Sequence, residues 1–240
     1  MLRTVEEIKQ NLVLVINKMK AAAERVERNY EEIKLVVVTK SQSIDTTRNA
    51  IAAGARIIGE NYVEEGVTKK NLLEQFHGTE WHMIGHIQSR KAQAVTLNFD
   101  MVHSLDSLKL AMKLDHQSML QGRKLPVLLE FNIGGEDNKY GWKVSNENDW
   151  VDLIPTIREI CNLKYLKISG LMAMPPYAKE PEHSRMYCKK LVKLQNFLKD
   201  QIPIVEWSEL SIGTSYDFEV AIEEGATMVR IGDAILGRRE

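Results

Sequence analysis

The stretch Ala50-Ile51-Ala52-Ala53-Gly54-Ala55-Arg56-Ile57-Ile58-Gly59 reads as the end of a helix joined to a strand. Gly54 stands where a helix needs a left-handed residue to close it, and an apolar run follows two residues later. Near the other end of the chain the same joint recurs as Ala221-Ile222-Glu223-Glu224-Gly225-Ala226, ahead of the run Met228 to Ile231. Similar runs occupy Leu35 to Thr39, Arg56 to Gly59, Trp81 to Gly85, Met101 to Ser104, Pro126 to Asn132, Lys167 to Met172 and Glu209 to Ile212, which makes eight in all. Each is followed by a segment able to form a helix. The runs do not alternate apolar with polar residues, so their strands are covered on both faces, as in a parallel sheet lined by helices. No Pro, Gly or Ser-rich linker divides the chain, and Pro175-Pro176 reads as a strand-to-helix loop. Eight βα units therefore predict one domain over residues 1–240, a single (β/α)8 barrel of the TIM type, with a doubly wound open sheet as the competitor.

Upstream of the first strand, residues 1–30 predict a covering helix. Val5, Ile8, Leu12, Val15, Met19, Ala22 and Val26 recur at steps of three and four, and Thr4 with Glu7 forms a capping box. Such a stripe suits a helix lying on its own domain better than a coiled coil.

Composition sets the outer bounds. Of 240 residues, 44% are hydrophobic and 27% charged, which excludes disordered, collagen-like and membrane classes. Lys plus Arg number 32 against 33 Asp plus Glu, so no global attraction draws nucleic acid or an anionic membrane. Met1-Leu2-Arg3-Thr4 and the short, charge-flanked stretch Leu12 to Ile16 read as neither signal peptide nor membrane span. The two cysteines, Cys161 and Cys188, form no CxxC pair, so a disulfide framework is excluded and a reducing cytoplasm is expected.

In such a barrel, reactive groups stand on loops at the carboxyl ends of the strands. Lys40 follows the first strand and shares parity with Val36 and Val38, so it points into the barrel mouth if they point inward. There its amine could form a Schiff base with an aldehyde; alternatively its stem packs on the rim and its ammonium stays in water. The last two strands end in Ser211-Ile212-Gly213-Thr214-Ser215 and Arg230-Ile231-Gly232-Asp233. Loops at these two positions often hold a phosphate on backbone N–H groups, and Thr214 with Asp217 resembles a helix start that would aim such groups there. Gly213 and Gly232 could instead simply make tight turns.

Other features point less sharply. His82 and His86 share parity, which makes a metal pair conceivable, although satisfied strand histidines are commoner. The segment Gly134 to Trp142 could be a lid or a solvated loop anchored by Trp142, and Met172 and Met174 could line a cofactor or fill core gaps.

A phosphate-bearing aldehyde held by a lysine describes pyridoxal 5'-phosphate (PLP). The segments Val38-Thr39-Lys40, Gly59-Glu60-Asn61-Tyr62-Val63, Trp81-His82-Met83-Ile84-Gly85-His86-Ile87-Gln88-Ser89, Gly170-Leu171-Met172-Ala173-Met174, Leu210-Ser211-Ile212-Gly213 and Met228-Val229-Arg230-Ile231-Gly232 closely resemble the pyridoxal phosphate homeostasis protein family. That family, also called YggS or PROSC, is similar to the barrel domain of alanine racemase. The resemblance implies that Lys40 carries PLP and that Asn61 lies near it. It places Ser211, Thr214, Ser215, Gly232 and Asp233 around the phosphate, and Arg230 against the pyridine nitrogen. The chain departs from the family pattern at Thr214 for methionine, Arg90 for asparagine and Asp233 for threonine. The last of these favours a backbone rather than a side-chain contact to the phosphate.

The implied function is vitamin B6 homeostasis in the cytoplasm: a monomeric, non-catalytic carrier that buffers PLP or delivers it to PLP-requiring apo-enzymes, without metal. The alternatives are a PLP-dependent amino-acid racemase on the same site, or a sugar-phosphate aldolase using Lys40. Alanine racemase also uses a tyrosine from a separate β domain, for which this chain is expected to have no residues left. Arg230, cationic at physiological pH, disfavours a protonated ring and so a strong electron sink.

Overall fold

The computed structural model describes residues 3–237. Met1 and Leu2 of the N-terminal stretch lie outside the described residues. Eight strands form the barrel: β1 (Lys34–Val38), β2 (Ile57–Glu60), β3 (Glu80–Met83), β4 (Met101–Leu105), β5 (Leu125–Asn132), β7 (Leu166–Ala173), β8 (Glu209–Ser211) and β9 (Met228–Ile231). A two-residue strand, β6 (Trp142–Lys143), adds to the outer end of β5. Every pairing is parallel, and both β1 with β9 and β4 with β5 are joined. These two joints close the ring, which decides for the barrel over the open sheet because a doubly wound sheet keeps two unpaired edges.

The apolar runs are strands because helices cover their outer faces while side chains fill the barrel. Met101, Leu128, Met172 and Met228 pack together as an interior layer. The larger core lies between strands and helices and includes Val37, Ile58, Val102, Leu129 and Ile231. At the two repeated joints Gly54 has φ +116° and Gly225 φ +105°, as the sequence requires. The following strands begin at Ile57, one residue later than the run read from sequence, and at Met228, where that run begins.

The first helix, α1 (Val5–Glu24), has the expected capping box, with Glu7 N–H donating to Thr4 Oγ1 at 3.2 Å. Ile8, Leu12, Val15, Met19 and Ala22 are buried, whereas Val5 and Val26, at the ends of the stripe, are exposed. The helix ends at Glu24, so Val26 lies in a turn beyond it. The buried stripe covers the seam where the first and last βα units meet: Asn11 Nδ2 donates to Ile235 O at 2.9 Å, and Arg28 Nη1 to Ile222 O at 2.6 Å. Among the described residues no helix is long and apolar enough to cross a membrane, and Cys161 and Cys188 are unpaired.

Candidate functional site

A cavity of about 220 Å³ opens at the carboxyl ends of the strands. It is lined by Lys40, Asn61, Thr214, Ser215, Arg230, Gly232 and Asp233, seven of the residues singled out from sequence, together with Ile84, Glu130, Met172, Met174 and Tyr216. Val38 shares the lining with Lys40, as parity required. Gly85 lets the β3 loop pass close to Asn61, since a Cβ there would come within 2.4 Å of Asn61 O.

Lys40 sits between two clamped neighbours. Thr39 is buried; its N–H donates to Gly59 O at 3.1 Å and its hydroxyl to Glu60 Oε1 at 2.5 Å. Lys69, 2% exposed, donates to Thr39 O at 2.6 Å, Glu60 Oε1 at 2.8 Å and Glu65 Oε1 at 2.7 Å. On the other side Ser41 takes a left-handed backbone, φ +58°, and donates its N–H to Glu65 Oε1 at 2.7 Å. The bond to Glu65 offsets the roughly 1 kcal/mol that this conformation costs a non-glycine residue. Burial pushes the Glu60 carboxyl above its ordinary range, even with the Lys69 ammonium against it. The sequence reading missed both Glu60 and Lys69, although Glu60 directly follows the second apolar run.

The corner expected to hold a phosphate differs from the sequence reading in two ways. Thr214 does not cap a helix. Instead Asp217 Oδ1 accepts from Thr214 N–H at 2.7 Å and from Thr214 Oγ1 at 2.9 Å, and the helix Phe218–Glu223 starts only after Asp217. The Thr214 N–H is therefore committed, because the aspartate reaches backwards across the turn. Ser211, expected around the phosphate, does not line the cavity: it is fully buried one layer deeper, bonded to Arg230 and His103. Ser215, Gly232 and Asp233 remain at the corner, with Ala234 N–H donating to Ser215 Oγ at 3.2 Å. Asp233 is exposed, so its carboxylate can face water while nearby backbone meets an anion.

Arg230 lies on β9 with Val36 of β1 as its register partner, and it lines the same cavity as Lys40. It is 6% exposed, and Nη1 donates to Ser211 Oγ at 2.5 Å and Nη2 to Ala173 O at 3.0 Å. Burial pulls its guanidinium down to about 10, still far enough above neutrality to stay cationic.

Glu130 was also missed, though a lone carboxylate inside the apolar run Pro126 to Asn132 was a visible signal. It shares parity with Leu128 and lines the cavity; its Oε2 is buried without a hydrogen-bond partner. Burial, with Asp106 adding to it, pushes this carboxyl up to about 7 from an ordinary 4.5. A carboxyl raised on folding contributes stability that is complete below pH 4.5 and lost as pH rises through 7. Glu130→Gln should therefore melt higher than the parent at pH 8, with the gap closing toward pH 4.5. Parallel melting curves across that range would refute this by staying equally spaced.

The histidines serve separate places. His82 is buried and meets His103, whereas His86 is exposed, lies 2.9 Å from Asp106 Oδ2 and stacks on Tyr140 at 3.6 Å between ring centroids. That stack fastens the segment Gly134 to Trp142 beside the mouth, and Lys139 Nζ ties it to Met174 O at 3.2 Å and Pro175 O at 3.1 Å. Trp142 is half-buried and packs on Phe131, which anchors the far end of the loop. Met172 is buried in the barrel interior and also borders the cavity, while Met174 is exposed at its edge.

The family described as alanine racemase, N-terminal domain, matches residues 11–240. The pyridoxal phosphate homeostasis protein of Escherichia coli (strain K12) is 38% identical over 240 residues, covering 98% of each chain. The structure of PipY from Synechococcus elongatus PCC7942 with PLP bound is similar at a TM-score of 0.82 and 29% identity, over 96% of this chain and 100% of that one. Alanine racemase of Clostridium difficile 630 shares the fold at a TM-score of 0.70 and 19% identity, over 98% of this chain and 57% of that one.

Proposed function

The chain belongs to the pyridoxal phosphate homeostasis protein family, within the wider family of alanine racemase N-terminal domains, and on that footing we propose that it binds PLP as a Schiff base on Lys40 and buffers or delivers it in vitamin B6 homeostasis. The observation that carries this reading is that an amine and a buried guanidinium line one cavity, Lys40 two residues beyond the end of β1 and Arg230 on the adjoining β9. The cavity residues fit the cofactor. Ser215 and the backbone at Gly232 and Asp233 would take the phosphate, and Asn61 and Met172 would flank the ring. Gly232 suits this cradle, because a Cβ there would already crowd Val38 O at 3.1 Å.

When bound, PLP would supply an aldehyde for reversible linkage to an amine, and a ring able to draw electrons. Arg230 limits the second capacity, because a cation beside the ring nitrogen opposes its protonation. A carrier role rather than turnover follows from that limit and from the homeostasis name borne by the relatives. The same reading makes the protein a cytoplasmic monomer whose acceptors are PLP-requiring apo-enzymes.

Borohydride tests cofactor, lysine and site together. The purified protein incubated with PLP should be yellow, and reduction should bleach it and leave a pyridoxyl group on the Lys40 peptide. A protein that stays colourless overturns the reading. The racemase alternative is separated by exchange of an amino acid's α-proton with deuterated solvent, and sustained turnover near or above about one per second would replace the carrier with an enzyme.

A further inference from the structure

A continuous chain of hydrogen bonds crosses the barrel interior beneath the cavity. It begins at Glu80, the first residue of β3, on the barrel face opposite the cavity, where the side chain is 62% exposed. Glu80 Oε2 lies 3.2 Å from His82 Nε2, and His82 Nδ1 lies 2.9 Å from His103 Nε2. His103 Nδ1 lies 2.9 Å from Ser211 Oγ, which accepts from Arg230 Nη1 at 2.5 Å. His82, His103, Ser211 and Arg230 are all buried. The five residues come from β3, β4, β8 and β9, so the chain exists only because the barrel is closed.

Donor and acceptor rules give this chain one direction. A guanidinium can only donate, so Arg230 occupies a lone pair of Ser211 Oγ. The Ser211 hydroxyl proton then goes to His103 Nδ1. Burial, with His82, Arg230 and Lys34 nearby, holds the His103 imidazole well below its ordinary pKa, so the ring is neutral and carries one proton. With Nδ1 accepting, that proton is on Nε2 and is donated to His82 Nδ1. His82 in turn donates from Nε2 to the Glu80 carboxylate. The reverse direction would set a bare His82 nitrogen against the carboxylate and turn the Ser211 proton away from both of its partners. Every link is satisfied in one order, with a cation at one end and an anion at the other.

We propose that His82 and His103 are positioning residues for Arg230, joining it through Ser211 to the Glu80 carboxylate so that the guanidinium is fixed toward the cofactor ring nitrogen. Ala173 O, on β7, holds Nη2 from the other side at 3.0 Å, so the guanidinium plane is set by two bonds from different strands. This rests on the reading of Arg230 as the group facing the ring nitrogen. The floor of the barrel and the cofactor site are then one connected network, although no residue of the floor touches the cavity.

The test has two arms. Long-range ¹⁵N–¹H spectra of the cofactor-free protein should show both His82 and His103 protonated at Nε2. A proton found at Nδ1 of either ring overturns the proposal, and this arm needs no cofactor. In the second arm His103→Leu should bind PLP about tenfold more weakly and move the pH at which bound PLP changes its absorption, whereas His103→Gln, which can still accept and donate, should recover most of both. Circular dichroism establishes that each variant is folded. Glu80→Gln, at an exposed position, should shift the same absorption in the same direction by less, and it carries the test if His103→Leu does not fold. Unchanged PLP affinity and spectrum in folded variants also overturns the proposal. If the parent protein does not bind PLP, the cofactor reading fails by itself, and the ring tautomers still decide the relay.

Discussion

Replacing Lys40 by alanine is expected to abolish the proposed borohydride-stable PLP adduct while leaving the cofactor-free protein folded. The chemistry is all-or-none, because the imine needs a primary amine at that point of the cavity, and alanine has none. The fold is spared because Lys40 is half-buried at the mouth and fills no part of the barrel interior, whose layer is made by Met101, Leu128, Met172 and Met228. Substitutions of this kind change stability by about 0.5 kcal/mol or less, so the melting temperature should stay within about 2 °C. The Arg230 and Ser215 sides of the cavity remain, so PLP is expected still to enter without forming the proposed linkage. Mass spectrometry of reduced digests and a thermal melt measure both halves of the result. A pyridoxyl group retained in equal yield by Lys40→Ala, on any other lysine, would sink the assignment.

The second large effect concerns the support of that lysine. Lys69→Met leaves the Glu60 carboxylate, 0% exposed, without its counter-charge and removes the donor to Thr39 O. Breaking one partner out of a buried ion pair costs about 3 to 5 kcal/mol, far more than the pair itself stabilises. For a chain of this length that corresponds to a fall in melting temperature of roughly 10 °C. The pH dependence has a definite sign. The Glu60 carboxyl is already raised by burial, and losing Lys69 raises it further, so the stability it contributes is present below the ordinary 4.5 and lost as pH rises through the folded value. The variant should therefore lie closest to the parent at low pH and furthest from it at neutrality. PLP affinity should fall too, since Thr39 immediately precedes Lys40. Urea titrations at several pH values measure this, and a Lys69→Met protein as stable as the parent at pH 7 would refute it.

Most of the architecture was legible because it rests on local regularities. The helix-closing glycines at Gly54 and Gly225 and the unalternated apolar runs announced βα units, and parity alone put Lys40 on the same side as Val38. Seven of the eight proposed site residues line one cavity for the same reason: they lie at strand ends, and strand ends gather at one face of a barrel. Ser211 lies outside the cavity lining, although nearness along the chain to Thr214 and Ser215 suggested a shared role. At about 3.3 Å per residue a strand carries such a neighbour a layer deeper, where it meets the barrel interior instead. The Thr214 and Asp217 pair had the right residues for a cap, but the backbone turn reversed which of them accepts.

The sequence by itself determined the repeat of βα units and the side of the chain that bears the lysine, since period and parity are properties of neighbouring residues. Only the tertiary structure decided what surrounds that lysine and Arg230. Lys69 reaches Thr39 across 30 residues, His103 reaches Ser211 across 108, and Glu130 enters the same mouth from β5. Such partners meet only when the ring of strands closes, and burial inside that ring then sets their charges, which no local pattern in the chain encodes.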